Sequence, residues 1–485
     1  MNIIVICMDT FRADLVGQGE KLAHVATPSL DQFCRESVVF ERAFGEGQPT
    51  LQARRSFFTG MRCFPWRFNT DRRGHWHHAA GWHKIPPEHD TMAEILCQRG
   101  YFTGLVTDTH HMFKPTMNYT RGFCCWDFIR GQVDDHWRGG TPAMVADLMA
   151  RHARKPINWP RHIKLMKYLL NNRDRRREED YLPAKVAIHA AQWLEENHEN
   201  APFFLWVDLF DPHEPWDPPK PYADRYMPGY EGLDFIWPGM AHEQGPPSEE
   251  EKERIRALYF GEATFVDKWI GHFLEKIDQL RLWDETAVVV TTDHGTQIFD
   301  NGKVGKTASD LRSYNTRIRF DVRHPGGPRG RKVRGFVQAH DLLPTLFGFL
   351  GIPMEVDGRD VWPMVSNAAA PVRDHVVIGW SDWANGPARG YASVRDDQWN
   401  YIVGTGFEDP APKLYRLAED PEEKVNVVER FPEAAALQRR RVEAVLKQPL
   451  PGVHEERCAH PVESPVDICC RHWFQGKGGP PLPPQ

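Results

Sequence analysis

The chain has no apolar run near the ~20 residues that a helical membrane span requires. It also lacks an excess of positive charge. Its 60 lysines and arginines are outnumbered by 66 acids, for a net charge of -6. That balance gives no general case for a nucleic-acid partner. The first apolar stretch, Ile3 to Met8, is short, has no basic flank and runs into Asp9, so it does not read as a secretory leader. The nine cysteines show no disulfide framework. Cys7 falls in a strand-like run, Cys34 and Cys97 in helical patterns, and Cys124-Cys125 and Cys469-Cys470 are adjacent pairs, poor partners for each other. These absences predict a soluble, cytoplasmic protein in a reducing compartment, with neither a membrane nor a nucleic-acid partner. Internal repeats are absent too.

What is present is material for a large core, including 17 Trp and 27 Phe in 485 residues. That length exceeds what one compact core usually holds, so a large domain with a smaller appendage is expected. Short β-branched runs at 3–8, 104–107, 203–207 and 287–292 alternate with helical patterns at 30–36, 91–99, 183–197 and 249–282. This rhythm predicts an α/β fold with a central, mostly parallel sheet flanked by helices. Residues ~115–180 interrupt it, and the basic stretch 151–177 reads as a solvated helix surface. After residue 368 the pattern changes to short strands near 392–395, 399–403 and 413–417, then a helix at 432–446. Three regions are therefore expected: 1–368, a catalytic α/β domain; 369–450, a small antiparallel sheet with a helix; and 451–485, a Pro/Gly-rich extended tail, a candidate contact between subunits of a homo-oligomer.

Two of the apolar runs end in metal-binding side chains: Ile3–Met8 leads into Asp9, and Ala287–Thr292 leads into Asp293-His294-Gly295. Ligands in parallel sheets bind beyond the carboxyl ends of strands, and oxygen donors with one imidazole suit a divalent metal. A third segment, Pro49-Thr50-Leu51-Gln52-Ala53-Arg54, places a hydroxyl at an expected helix start with an arginine one turn on. A helix N-terminus there would bind an anion and stabilise an alkoxide. The fourth is Asp211-Pro212-His213-Glu214-Pro215-Trp216, after the strand at 203–207; His213 there could donate to a transferred group or protonate a leaving group. Taken singly, each has a plainer reading: Asp9 as a helix cap or ion-pair partner, Thr50 as an ordinary N-cap, His213 as a surface-loop histidine. The Cys458/Cys469/Cys470/His472 tail has irregular spacing for a zinc site.

Taken in order, these segments resemble the alkaline phosphatase superfamily, in particular its sulfatase and phosphonate monoester hydrolase branch. The sulfatase signature C-x-P-S-R with a following Thr-Gly matches Thr50 to Gly60 in register; D-P-H-x-P-W-x-P-P matches Asp211 to Pro219; S-D-H-G…G-K matches Thr292 to Lys306; H-D-L-L-P-T-L matches His340 to Leu346; and L-Y-x-L-x-x-D-P-x-E-x-x-N matches Leu414 to Asn426. The resemblance implies Asp9, Asp293, His294 and the Thr50 oxygen as ligands of one divalent metal, with Mn2+ or Zn2+ favoured over Ca2+ or Mg2+ and room left for a second ion. It implies Thr50 as nucleophile, Arg54 as the group that holds the nucleophile loop, and His213, Lys306 and His110 as contacts to substrate oxygens or the leaving group.

The departures are specific. Sulfatases oxidise a cysteine to formylglycine where this chain has Thr50, and no cysteine lies between Cys34 and Cys63. The signature's Pro and Ser are Gln52 and Ala53, the second Asp of the first strand is Thr10, a frequent His is Asn301, and the Lys of G-K-W-H is Asp108. A formylglycine hydrate can expel sulfate by collapsing to the aldehyde, whereas a sulfo-threonine has no such exit. A phospho-threonine can be opened by in-line attack of water at phosphorus. The sequence therefore favours hydrolysis of a small anionic phosphodiester or phosphonate ester through Thr50. The alternatives are a sulfatase working without formylglycine and a non-catalytic member that binds an anion.

Overall fold

A computed structural model of the chain describes residues 1–65, 82, 84–114, 117–155, 162–241, 244–366, 370–381, 390–406 and 411–451. The expected tail, with its cysteines and histidine, and the expected border at residue 369 lie outside the described residues. In chain order the strands are β1 Asn2–Met8, β2 Val38–Phe44, β3 Gly47–Gln48, β4 Phe102–Thr107, β5 Cys125–Phe128, β6 Phe203–Leu209, β7 Thr286–Thr292, β8 Gln297–Ile298, β9 Val304–Gly305, β10 Phe320–Arg323, β11 Arg331–Gln338, β12 Val376–Ser381, β13 Gly390–Arg395, β14 Trp399–Gly404 and β15 Lys413–Arg416.

Eight of them form one sheet in the order β11-β2-β10-β7-β1-β6-β4-β5. Its pairs are parallel except where β10 runs antiparallel between β7 and β2. The central strand β1 shows why its sequence is apolar without alternation. Ile4, Ile6 and Met8 enter a core with the helices Glu249–Gln279 and Leu182–Asn197, while Ile3, Val5 and Cys7 enter a second core with the helices Leu51–Thr59 and Leu342–Phe349. Successive strand residues point to opposite faces, and both faces are covered. This is the α/β architecture expected, with helices on both sides of a mostly parallel sheet.

The long helix Glu249–Gln279 starts with a reciprocal cap between Ser248 and Glu251 and carries three acids in its first turn, where they complement the helix dipole. The basic stretch 151–177 departs from its sequence reading. Its helix Ile163–Asn172 is largely buried, Lys167 included, and Arg175 leaves solvent to pair with Asp217. Counting charges did not reveal the apolar face made by Leu165, Met166, Leu169 and Leu170.

The second sheet has the order β15-β14-β13-β12-β3. Four of its strands come from the C-terminal region, three where the sequence reading expected them and β12 in addition, and they run antiparallel with the helix Pro432–Leu446 nearby. The fifth, β3, comes from the N-terminal region and pairs in parallel with β12, Gly47 against Gly379 and Gln48 against Trp380. The chain reaches Thr50 directly from this strand, so the C-terminal sheet holds one side of the turn that carries Thr50. Among the described residues, no helix is long and apolar enough to cross a membrane.

Candidate metal centre and active site

The strands β7, β1, β6 and β4 are adjacent and parallel. Their carboxyl ends bring Asp293, Asp9, Asp208 and Asp108 to one edge of the sheet, all fully buried. One ligand atom from each of Asp9, Asp293 and His294 lies within 4.8 Å of the others. His294 is oriented by its own backbone: Nδ1 is 2.8 Å from the Gly295 carbonyl and donates to it. Nε2 is then left 3.7 Å from Asp9 Oδ1 and 3.6 Å from Asp293 Oδ2, buried and without a hydrogen-bond partner. An orphaned imidazole lone pair facing two carboxylates fits a divalent cation. Burial, opposed by Asp9, pulls the His294 pKa down to about 4, so the ring is neutral and able to ligate near neutral pH. Burial and then the neighbouring Asp293 push the Asp9 carboxyl upward, as expected for a corner that holds more negative charge than the protein itself neutralises.

Arg54 supplies part of that neutralisation. Its Nη1 donates to Asp9 Oδ2 at 3.0 Å and to Asp293 Oδ2 at 2.7 Å. Its Nε and Nη2 edge grips Asp208, with Nη2 2.7 Å from Oδ1. Three carboxylates face one guanidinium, and all four side chains are fully buried. Net negative charge remains, which again suits a cation. Thr109 Oγ and Trp206 Nε1 also donate to Asp208. Asp208 escaped the sequence reading, although an acid closing the apolar run of β6 is the same signal that singled out Asp9 and Asp293.

Thr50 immediately precedes the helix Leu51–Thr59, at φ 41° and ψ −90°, and its side chain makes no capping hydrogen bond. The plain N-cap reading therefore does not describe it. A β-branched residue at positive φ is strained, and the surroundings that hold it there include Arg54, whose Nη1 and backbone N–H both donate to the Thr50 carbonyl at 3.2 and 3.1 Å. Thr50 lines a cavity of about 240 Å3 together with His111, His213, Glu214, Lys164, Lys306, Trp82, Trp237 and Trp380.

Lys306 reaches this cavity and donates to Glu214 Oε2 at 2.6 Å and to Thr10 Oγ at 3.1 Å. Thr10 in turn donates to Asp9 through Oγ at 2.7 Å and to Asp293 through its N–H at 2.9 Å, so the residue standing where sulfatases have a second acid ties Lys306 to the metal corner. Burial disfavours the Glu214 carboxylate, yet His213 and Lys306 outweigh it and hold Glu214 well below the usual range. His213 lies with Nδ1 2.6 Å from the Glu214 carbonyl and its ring stacked on Phe210 at 4.2 Å. Burial lowers its pKa to about 4, and with Nδ1 donating, Nε2 is the free acceptor.

His110 is placed differently from the other candidates. It is not among the residues lining the cavity; its neighbour His111 is. The His110 ring lies against Phe128 and His136, with Nδ1 3.6 Å from Asp135, and burial followed by Lys114 drops its pKa to about 2. Both histidines occupy one short 3-10 turn, His110–Phe113, where a single residue of register decides which ring meets the cavity. Glu214 and Trp380 are further residues of the site that the sequence reading did not single out, and Thr10, noted there only as a departure from the sulfatase pattern, joins them. Trp380 arrives on β12 and packs its ring 5.6 Å from that of His294.

The family model described as sulfatase matches residues 1–352. An arylsulfatase of Clostridium perfringens is 23% identical over 455 residues, covering 88% of this chain and 90% of that protein. The multifunctional alkaline phosphatase superfamily protein PehA of Trinickia caryophylli is 24% identical, covering 75% of this chain and 77% of its own length. Among solved structures, the phosphonate monoester hydrolase of Agrobacterium radiobacter superposes with a TM-score of 0.69 at 21% identity, covering 92% of this chain and 95% of that one.

Proposed function

The chain belongs to the sulfatase family of ester hydrolases, and on that premise we propose that it cleaves a small anionic phosphodiester or phosphonate ester through Thr50. The observation that carries this reading is the state of Thr50: at positive φ, free of any capping bond, and lining one cavity with Lys306 and His213 beside the Asp9/Asp293/His294 cluster.

Asp9, Asp293, His294 and the Thr50 oxygen would hold one divalent ion, with Mn2+ or Zn2+ the best match to a mixed oxygen and imidazole set. Such an ion lowers the pKa of an adjacent hydroxyl and draws charge from the oxygens of a transferring group. The protein supplies the rest. Arg54 fixes the turn that presents Thr50 and offsets carboxylate charge beside it. Lys306 is positioned to meet an equatorial oxygen of the substrate, exchanging its contact with Glu214 for one with the anion. His213, neutral near pH 7, offers Nε2 as an acceptor at the cavity wall and can return a proton to the leaving oxygen once it has taken one up. Thr50 Oγ bonds to phosphorus as the P–O bond to the leaving alcohol breaks. Water then attacks phosphorus and restores the hydroxyl.

The test is a panel of p-nitrophenyl phosphonate, phosphodiester, phosphate monoester and sulfate esters, run on the metal-loaded wild type and on Thr50→Ala. Turnover is expected on the phosphonate or phosphodiester, with a loss on the order of 1,000-fold or more in Thr50→Ala. Retention of activity by Thr50→Ala, or a clear preference for the sulfate ester, overturns the reading.

A further inference from the structure

Outside the candidate active site, Cys97 and Cys124 are exposed and reduced, 27 positions apart in sequence, with their sulfurs 3.9 Å from each other. Cys97 sits in the helix Met92–Gln98, and Cys124 immediately precedes the edge strand β5. Local geometry assigns the two sulfurs to each other. Cys125 points to the opposite side of the strand, where Trp193 Nε1 donates to its sulfur at 3.0 Å. Cys124 is anchored by its neighbour Thr103: its N–H donates to Thr103 Oγ at 2.9 Å, and that hydroxyl lies 3.3 Å from the Cys124 sulfur. Burial of Cys124 is slight, and the hydrogen bonds from Thr103 and Cys97 outweigh it, holding its pKa below that of an ordinary thiol.

We propose that Cys97 and Cys124 are a redox-responsive thiol pair, at which a two-electron oxidant of the hydroperoxide class installs an intrachain disulfide. The Cys124 thiolate attacks the peroxide oxygen, giving a sulfenic acid and, for hydrogen peroxide, hydroxide. The Cys97 thiol then attacks the Cys124 sulfur, the S–S bond forms, and water leaves. Bonding needs the sulfurs to close from 3.9 Å to about 2.05 Å, and both side chains are exposed, so the approach starts from the surface and not from the core. The pair lies near the amino end of β4, beside Thr103, on the sheet edge opposite Asp9 and Asp293. The bridge would tie the helix Met92–Gln98 to the sheet's edge without reaching the cavity.

The test treats the full-length protein with hydrogen peroxide, blocks the remaining thiols with an alkylating agent and maps peptides without reduction. The expected result is a Cys97–Cys124 linked peptide, reversed by dithiothreitol, with rates of metal-dependent ester hydrolysis unchanged. In Cys97→Ser the sulfenic acid at Cys124 should persist and be trapped by dimedone. A bridge through Cys125 or through the C-terminal cysteines, a linkage between two chains, or full alkylation of Cys97 and Cys124 after peroxide treatment that modifies other thiols overturns the proposal.

Discussion

Arg54 Nη2 lies 2.7 Å from Asp208 Oδ1, and this grip on one edge of the guanidinium aims its other nitrogen at Asp9 and Asp293. Arg54 is thus a brace between the turn bearing Thr50 and two metal-ligand candidates, and Asp208 is the anchor of the brace. Asp208→Asn removes the anchor's charge while keeping its shape. It is expected to lower kcat/KM about 10- to 100-fold, the usual scale for residues that orient metal ligands. Arg54→Lys should lose more, because an ammonium cannot reproduce the fork. Steady-state kinetics with metal content measured in parallel check this, and an Asp208→Asn enzyme with wild-type kcat/KM would refute the brace.

The cluster of Asp9, Asp293 and the orphaned His294 Nε2 leads to a prediction about metal removal. Dialysis against a chelator should lower the melting temperature, and adding back Mn2+ or Zn2+ should restore it, since a ligand that binds only the folded state stabilises it. Because His294 titrates at about 4, its ring is already neutral at pH 6. Metal affinity is therefore expected to lose nothing to proton competition at His294 between about pH 8 and about pH 6, and to begin falling only near pH 5, unlike a site built on an ordinary histidine of pKa ~6.5. Calorimetric titrations at several pH values decide the matter.

Asp108 sits on the same sheet edge, accepting from the Phe210 N–H at 2.8 Å and from Gln132 Nε2 at 2.9 Å. Burial nevertheless raises its pKa to about 7. A carboxyl whose folded pKa exceeds its unfolded value contributes stability that is fully present below the unfolded pKa and is lost as pH rises through the folded one. Stability should therefore decline between about pH 4 and about pH 7 and level off above that, and Asp108→Asn should make that decline shallower. Melting temperatures of both proteins across this window provide the measurement; equal slopes would contradict the assignment.

Thr50 at φ 41° pays for its position in backbone strain of about 1–3 kcal/mol. Thr50→Gly releases it, since glycine accepts positive φ freely. The variant is expected to be inactive and yet more stable than wild type, by about 1 kcal/mol after the lost side-chain contacts are deducted. Denaturant unfolding of the two proteins tests the claim, and a variant less stable than wild type would argue against stored strain.

Gly295 follows the candidate ligand His294 and has no room for a side chain: a Cβ would stand 1.9 Å from the backbone oxygen of Tyr314. The same residue accepts from His294 Nδ1 and donates its N–H to Asn315 O at 3.0 Å. Gly295→Ala must push two backbones apart, and the expected result is weaker metal binding together with a loss of stability of about 1–3 kcal/mol, read from metal content and thermal melts.

Much of the site was legible because strands buried on both faces cannot alternate in polarity. Runs such as Ile3–Met8 and Ala287–Thr292 stand out against the helices, and an acid at their end is conspicuous. Thr50 and Arg54 were legible by their spacing across one helical turn. Asp208 carried the same strand-end signal and still needed the structure, because its role is set by a guanidinium 154 positions away. The choice of His111 over His110 at the cavity wall depends on the register of a single turn, and no periodicity fixes that. The burial of Lys167 likewise follows from what packs on its helix.

The sequence by itself determined the α/β architecture, the family, and the presence of a threonine where sulfatases carry an oxidisable cysteine, because local periodicity and residue chemistry are written along the chain. Tertiary structure alone decided that β3 joins the C-terminal sheet and brings Trp380 beside His294, that Asp208 anchors Arg54, and that Cys97 meets Cys124. Each is a contact between segments distant in sequence, set by strand order and register in the folded sheet, which the chain specifies only through the packing of the whole.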